Sequence, residues 1–253
     1  MRAKWSEVEK RIVEFIKQRV NESKANGVVL GLSGGVDSSC VAFLCVKALG
    51  KDRVLGLIMP ERGVTKEEDV NDAMEICKIL GIEYRYIEIN DILNTIIKKV
   101  GEGCKIAVAN LKPRIRMILN YYYANELNRL VAGTGNKTEL LIGYFTKYGD
   151  GGVDFLPIGD LYKTEVRELA KYLGVPERII NKTPTAGLWV GQTDEGEIGM
   201  SYNELDKILI AIEKNNTENI EKAELEKVLK MIEGSKHKRE MPFIAFVRDL
   251  IET

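Results

Sequence analysis

The sequence predicts an α/β fold: a Rossmann-like, doubly wound parallel sheet with helices added at its C-terminal end. Three observations carry that expectation. Short apolar runs alternate with segments of helical period through the first half of the chain. A glycine- and serine-rich string joins the first of these runs to a helix. Beyond the fourth run the pattern becomes helical. Strands alternating with helices imply a parallel sheet covered on both faces.

The elements follow in order. Trp5, Val8, Ile12, Phe15, Ile16 and Val20 recur at helical spacing, and Glu7, Glu9 and Glu14 are unlike an acid-poor transit peptide. Val28–Leu30 is a buried strand, followed by a helix over about residues 37–49. Val54–Met59 is the second strand. Lys66–Leu80 is a helix with Val70, Ala73, Met74, Cys77 and Leu80 on one face, stopped by Gly81. Tyr84–Ile89 alternates as a third strand, and Ile92–Val100 is a helix. A long helix spans roughly Ile106–Leu130, with Pro113 marking a kink or restart. Leu130–Ala132 is the fourth strand, ending at Gly133. Further on, Val166, Leu169, Ala170 and Leu173 define a helix near Lys163–Leu173, closed by Gly174. Residues 181–200 are rich in Gly, Thr and Asp with little periodicity, a length of irregular chain that points to function or mobility. Helices near Tyr202–Glu213 and Thr217–Ile232, and one from about Phe243, complete the chain. The expectation is one domain over residues 1–253, with a sheet core at about 20–190 and a helical part at about 200–253.

Gly31-Leu32-Ser33-Gly34-Gly35-Val36-Asp37-Ser38-Ser39 is the most informative string. It stands between a strand and a helix. Its glycines remove side chains that would hold a phosphate away from the backbone, its serines supply hydroxyls, and the helix start supplies free N–H groups. The spacing is neither G-x-x-x-x-G-K-[ST] nor G-x-G-x-x-G. It resembles the SGGxDS pyrophosphate loop of the ATP-pyrophosphatase families, which split ATP between the α and β phosphates. Ligands of open parallel sheets bind beyond the carboxyl ends of the strands, which places this loop, Pro60–Thr65 and Gly133–Glu139 around one crevice.

Bulk properties narrow the partners. The 253 residues carry a net charge of −1, so no global basic field attracts nucleic acid. Cys40, Cys45, Cys77 and Cys104 show no C-x-x-C spacing, and neither a disulfide framework nor a zinc site is expected. No apolar run reaches membrane-spanning length, so a soluble, cytoplasmic protein without a membrane partner is expected.

Five further strings lie downstream: Gly133–Glu139, Gly143–Asp154, Pro157–Thr164, Pro184–Leu188 and Gly191–Glu195. With Ser33–Ser39 they closely resemble the ammonia-dependent NAD synthetase family, in order, from about residue 8 to the C-terminus. The resemblance implies an adenine nucleotide alpha-hydrolase-like fold and a ligase forming a C–N bond. ATP would adenylate the carboxylate of deamido-NAD, releasing pyrophosphate, and ammonia would displace AMP to give NAD. It also implies site residues. Gly31, Leu32, Ser33, Gly34, Gly35, Val36, Asp37 and Ser38 would bind ATP together with Thr134, Lys163 and Thr185. Asp37 and Glu139 would hold Mg2+. Arg114, Lys147, Asp154, His237 and Lys238 would bind deamido-NAD. Arg114 is preferred over Arg116, which faces elsewhere on a helix. His237 is the only histidine, and composition alone reads its charged run as a solvated turn. No residue is assigned as acid or base. Arg62 stands at the end of the second strand, within reach of ATP, and the Gly187–Met200 loop is expected to close over the reacting carboxylate.

Two other classes fit the first loop: a GMP synthetase-like or tRNA-modifying adenylating enzyme, and a non-catalytic nucleotide sensor. Sulfur transfer generally needs reactive cysteines, and no such pair is visible. A sensor needs neither Glu139 nor Gly143–Asp154. The long helix carries Ile115, Ile118, Leu119, Tyr122, Tyr123 and Leu127, more apolar surface than one packing face requires. A homodimer through it is expected, as the resemblance also implies. No segment resembles a glutaminase, so ammonia is expected to arrive free or from a separate protein.

Overall fold

A computed structural model describes residues 4–251. Its centre is a parallel sheet of β1 (Gly27–Gly31), β2 (Val54–Ile58), β3 (Glu83–Tyr86) and β4 (Arg129–Val131), ordered β3-β2-β1-β4. Because side chains alternate along a strand, the inner strands feed two cores. Val28 and Leu30 of β1, with Val54 and Ile58 of β2, join a cluster with α1 (Trp5–Glu22), α2 (Val36–Leu49), α3 (Glu67–Leu80) and α7 (Lys163–Leu173). Val29, Leu55 and Leu57 face the other way, toward α4 (Asn90–Val100) and α5 (Lys105–Glu126). Helices therefore cover both faces, as a doubly wound fold requires. The apolar composition of α2 follows from its place between α1, α7 and the sheet, where Cys40, Val41, Ala42, Leu44 and Cys45 are all fully buried. Burial holds the Cys45 thiol up at about 12, which leaves it a packing group.

The chain runs from β1 to β2 on one side, and β4 docks on the other side of β1. The order reverses between β1 and β4, and the crevice at such a reversal is where ligands enter these sheets. The loops leaving β1 and β4 are Gly31–Ser38 and Gly133–Glu139. Past the crevice, α6 (Lys137–Ile142), α8 (Glu177–Ile180), α9 (Asp194–Ile198), α10 (Tyr202–Glu213) and α11 (Lys222–Gly234) follow. Tyr202, Leu205, Ile208, Leu209 and Val228 form a third apolar cluster with Ile142, Tyr162 and Ile198.

Several expected elements differ. Pro113 neither breaks nor restarts the long helix: α5 is continuous from Lys105 to Glu126. Pro113 is buried, and a Cβ built on Gly149 would meet its Cβ at 2.8 Å, so the ring occupies space that only glycine leaves open. The helix ends at Glu126 because Asn128 adopts φ +50 and turns the chain into β4. β3 is shorter than Tyr84–Ile89 and lies at the sheet edge with all four residues exposed. The irregular 181–200 stretch contains α9, and α8 stands where no helix was expected. The helix expected from Thr217 begins at Lys222. The helix expected from Phe243 is absent among the described residues; a single 3-10 turn, Arg248–Leu250, stands there, with Phe243, Phe246 and Leu250 exposed. An apolar period makes a helix only when a surface is available to bury it. No helix of the described residues is long and apolar enough to cross a membrane.

Candidate active site

The β1–α2 loop is held by its own hydroxyls. Ser38 Oγ accepts from the Ser33 N–H at 3.3 Å, and the Ser33 and Ser38 hydroxyls stand 3.1 Å apart. The Gly35 N–H donates to Ser33 Oγ at 3.3 Å, and Ser39 Oγ donates to the Gly35 carbonyl at 2.8 Å. Leu32 N–H bonds the Leu57 carbonyl at 2.8 Å, so the loop keeps the direction of the sheet. Gly34 has φ +76, a conformation that glycine adopts without steric cost. The loop wraps the free end of the fourteen-residue helix α2, where the helix dipole favours an anion.

Three charged side chains converge beside it. Lys163 Nζ donates to Asp37 Oδ2 at 2.6 Å and to Glu139 Oε1 at 3.1 Å. The Lys163 side chain is 4% exposed, and each acid 17%. Asp37 is in the first turn of α2 and Glu139 in the first turn of α6; Lys163 begins α7. Three helix starts thus aim at one point. Burial opposes the Lys163 charge, but Asp37 and Glu139 outweigh it and raise this lysine. Burial lifts Glu139 above the usual carboxylate range; Lys163 opposes the rise, and the Asp37 and Asp194 charges add to it.

Asn136 lies within the Gly133–Glu139 string, where the sequence assigns it no role, and it connects these acids. It is fully buried. Its Nδ2 donates to Asp37 Oδ1 at 2.9 Å, and its Oδ1 accepts from the Glu139 N–H at 3.0 Å. The Asn136-x-x-Glu139 spacing is a capping box, a signal that was readable. Asp194 also lines the site. The Tyr202 hydroxyl donates to its Oδ2 at 3.0 Å, the Lys163 ammonium lies 5.0 Å from the centre of the Tyr202 ring, and the buried Asp194 Oδ1 has no hydrogen-bond partner. Burial, first of all, raises Asp194.

The other expected residues fall into separate groups. Thr134 is half-buried in the β4–α6 loop. Thr185 is exposed, and its Oγ1 accepts from the Gly187 N–H at 3.1 Å. Arg114, Lys147, His237 and Lys238 form a second basic group. Arg114 Nε donates to the Lys147 carbonyl at 3.4 Å, Lys147 Nζ to the His237 carbonyl, and Lys238 Nζ to the Gly143 and Phe145 carbonyls at 2.7 and 2.8 Å. Asp154 lies apart: its Oδ2 accepts from the Val131 N–H at 2.7 Å and its Oδ1 from the Tyr121 hydroxyl at 3.0 Å, which ties β4 to α5. Arg62 is exposed and reaches toward Glu88 at 3.9 Å. Arg116 is turned to the sheet, with Nε donating to the Met59 carbonyl at 3.0 Å.

The Gly187–Met200 segment is folded against α5. Lys112 Nζ donates to the Leu188 carbonyl at 2.5 Å and pairs with Glu61 at 2.6 Å. Lys105 Nζ lies 4.0 Å from the centre of the Trp189 ring. Gln192 joins the Leu188 N–H to Glu197, with both distances 2.6 Å.

Residues 8–242 match the family model described as NAD synthase. The chain belongs to the NAD synthase family. A relative from Archaeoglobus fulgidus, an NH(3)-dependent NAD(+) synthetase, is 64% identical over 247 residues, covering 98% of this chain and 99% of its own. An NMN synthetase from Francisella tularensis superposes with a TM-score of 0.89 at 36% identity, over 96% of this chain and 99% of that one. An NH3-dependent NAD synthetase from Campylobacter jejuni, solved with nitrate, gives 0.85 at 37% identity over 97% and 100%. Membership of the NAD synthase family identifies this chain as an enzyme. It sets aside the nucleotide-sensor, GMP synthetase-like and tRNA-modifying readings.

Proposed function

We propose that this enzyme amidates deamido-NAD to NAD with free ammonia and ATP, in the cytoplasm and as a homodimer. The observation that carries the reading is the junction of the Gly31–Ser38 loop with the Asp37–Lys163–Glu139 cluster at the β1/β4 crevice. An anion cradle beside a buried ammonium suits pyrophosphate departure, where negative charge collects on the leaving oxygens. A deamido-NAD carboxylate oxygen would attack the α-phosphorus while the bond to the β-phosphate oxygen breaks. Ammonia would then attack the acyl carbon, lose a proton, and expel AMP. Loop N–H groups and serine hydroxyls would grip the leaving phosphates, and Lys163 would balance their charge. Thr134, in the β4–α6 loop, and Thr185, next to Pro184, would contact ATP. The Arg114, Lys147, His237 and Lys238 group offers cations for the phosphates of deamido-NAD. Asp154, whose carboxylate ties β4 to α5, would bind the same substrate.

The donor chemistry fits magnesium. Asp37 and Glu139 present oxygens to one cation, now the Lys163 ammonium. Among the described residues no group of three or more His, Cys, Asp or Glu is arranged to hold a metal ion, so phosphate oxygens would complete the coordination of an ion held by Asp37 and Glu139. Bound there, magnesium would neutralise phosphate charge; Asp37 and Glu139 would hold it, with Asn136 fixing both carboxylates.

Ile118 and Tyr122 of α5 and Leu127, just past its end, are exposed, whereas Ile115 is buried and Leu119 and Tyr123 pack on the sheet core. Ile118 and Tyr122, one turn apart on the exposed side of α5, form the centre of the apolar surface proposed for the dimer.

The decisive experiment supplies purified protein with ATP, magnesium, ammonium and either deamido-NAD or its mononucleotide counterpart. Equal yields of AMP, pyrophosphate and NAD support the proposal. ADP as product refutes it, and preference for the mononucleotide moves the acceptor to that of the Francisella relative.

A further inference from the structure

The first turn of α3 lies against the phosphate loop. A Cβ built on Gly34 would stand 2.1 Å from the Asp69 carbonyl oxygen, so the two backbones touch. That turn is Glu67-Glu68-Asp69, with Asp72 and Glu75 following. Acids favour the start of α3, but beside a loop suited to a polyanion they repel the ligand. Lys182 stands at this contact. Its Nζ donates to Asp69 Oδ1 at 2.6 Å, pairs with Asp72 Oδ2, and reaches the Gly34 carbonyl at 3.4 Å. The Lys182 side chain is 17% exposed. Arg178 also pairs with Asp72, whereas among the described residues Asp69 has no other ion-pair partner. Burial opposes the Lys182 charge, and the hydrogen bonds to Asp69 and Asp72 outweigh it.

We propose that Lys182 is a positioning residue for ATP: it neutralises Asp69 and Asp72 so that acidic α3 can lie against the Gly31–Ser38 loop without repelling phosphate. It also sits two residues before Pro184, whose carbonyl accepts from the Asp194 N–H at 3.0 Å. The same ion pair therefore holds the Pro184–Thr185 segment in register with the loop. Lys182 acts through Asp69 and Asp72 and need not touch the nucleotide. The inference rests on the reading of Gly31–Ser38 as the ATP site.

Kinetics of K182Q, D69N and the double variant test it, beside direct equilibrium binding of ATP. K182Q raises KM for ATP about tenfold while KM for deamido-NAD and ammonium stays unchanged, and added salt narrows the gap as it screens the repulsion. Adding D69N to K182Q restores most of the ATP affinity, because the uncovered charge is gone. A purely structural lysine would raise both nucleotide KM values together and gain nothing from D69N; that result, or an unchanged KM for ATP, overturns the proposal. Should K182Q fail to fold, D69N alone decides: its KM for ATP equals or falls below wild type, and a rise overturns the proposal. Wild-type protein that binds no ATP refutes the site reading itself; wild type that binds ATP beside an unaffected K182Q refutes only the role of Lys182.

Discussion

Replacing Lys163 with methionine isolates the electrostatics of the candidate site. Methionine is close in length to the lysine stem, so the cavity contribution is small. The ammonium contacts Asp37 at 2.6 Å and Glu139 at 3.1 Å. At an effective dielectric near 20 each contact is worth roughly 5–6 kcal/mol of Coulomb attraction, most of it offset by desolvation. Deleting the cation leaves two nearly buried carboxylates facing each other, and breaking a buried pair in this way costs about 3–5 kcal/mol. The assay is urea unfolding of wild type and Lys163→Met, each with and without magnesium, at matched ionic strength. Lys163→Met is expected to lose that amount and to regain part of it with magnesium, which Asp37 and Glu139 would hold. At a magnesium concentration a hundredfold above its Kd the gain is about 2.7 kcal/mol. Wild type, whose lysine already fills the place, shows little response. Unchanged stability in the variant, or equal recovery with sodium chloride, would refute the reasoning: the first removes the ion pair as a contributor, and the second reduces the magnesium effect to screening.

Three further outcomes are expected. Asn136→Ala removes the capping box and one bond to Asp37; it loses about 1–2 kcal/mol in urea and lowers turnover more than a cap elsewhere would. Asp72 is held below its ordinary 3.8: burial raises it, but Lys182 and Arg178 outweigh burial. A depressed acid contributes stability that is present above the ordinary value and lost as pH falls through the folded one, so the urea midpoint drops below about pH 4 in wild type and less so in Asp72→Asn. A double change of Ile118 and Tyr122 to aspartate, on the exposed face of α5, converts a dimer to a monomer by sedimentation without unfolding it; a monomeric wild type sinks the dimer proposal.

The parts legible in the sequence were those decided locally. Strand, glycine turn and helix at Val28–Leu49 follow from composition over a few residues, and so do the helix starts that carry Asp37, Glu139 and Lys163. That three such starts meet is a consequence of strand order, which the alternation of elements constrained. What sequence pattern missed depends on distant partners. Arg116 lies on the Met59 carbonyl, fifty-seven positions away in the chain, and Lys182 lies on Asp69, one hundred and thirteen away. Neither side chain differs in type from an ordinary surface residue. Phe243–Leu250 failed for the opposite reason: its period is helical, but the described part of this chain offers those side chains no surface to bury against.

The charge at the crevice accounts for the lysine between Asp37 and Glu139. Asp37, Glu139 and Asp194 are three acids facing one ammonium, which leaves an excess of two negative charges if all are ionised. Burial raises both Glu139 and Asp194, which relieves part of that excess by favouring the protonated forms. A polyphosphate adds more negative charge to the same space. Lys163 alone cannot balance it, since its charge is already engaged by two carboxylates. Asp37 and Glu139 would hold a divalent ion, whose charge would cancel that excess. The Asn136 bonds to Asp37 and Glu139 hold both acids in place whichever cation they face, so the site is organised before its ligands bind.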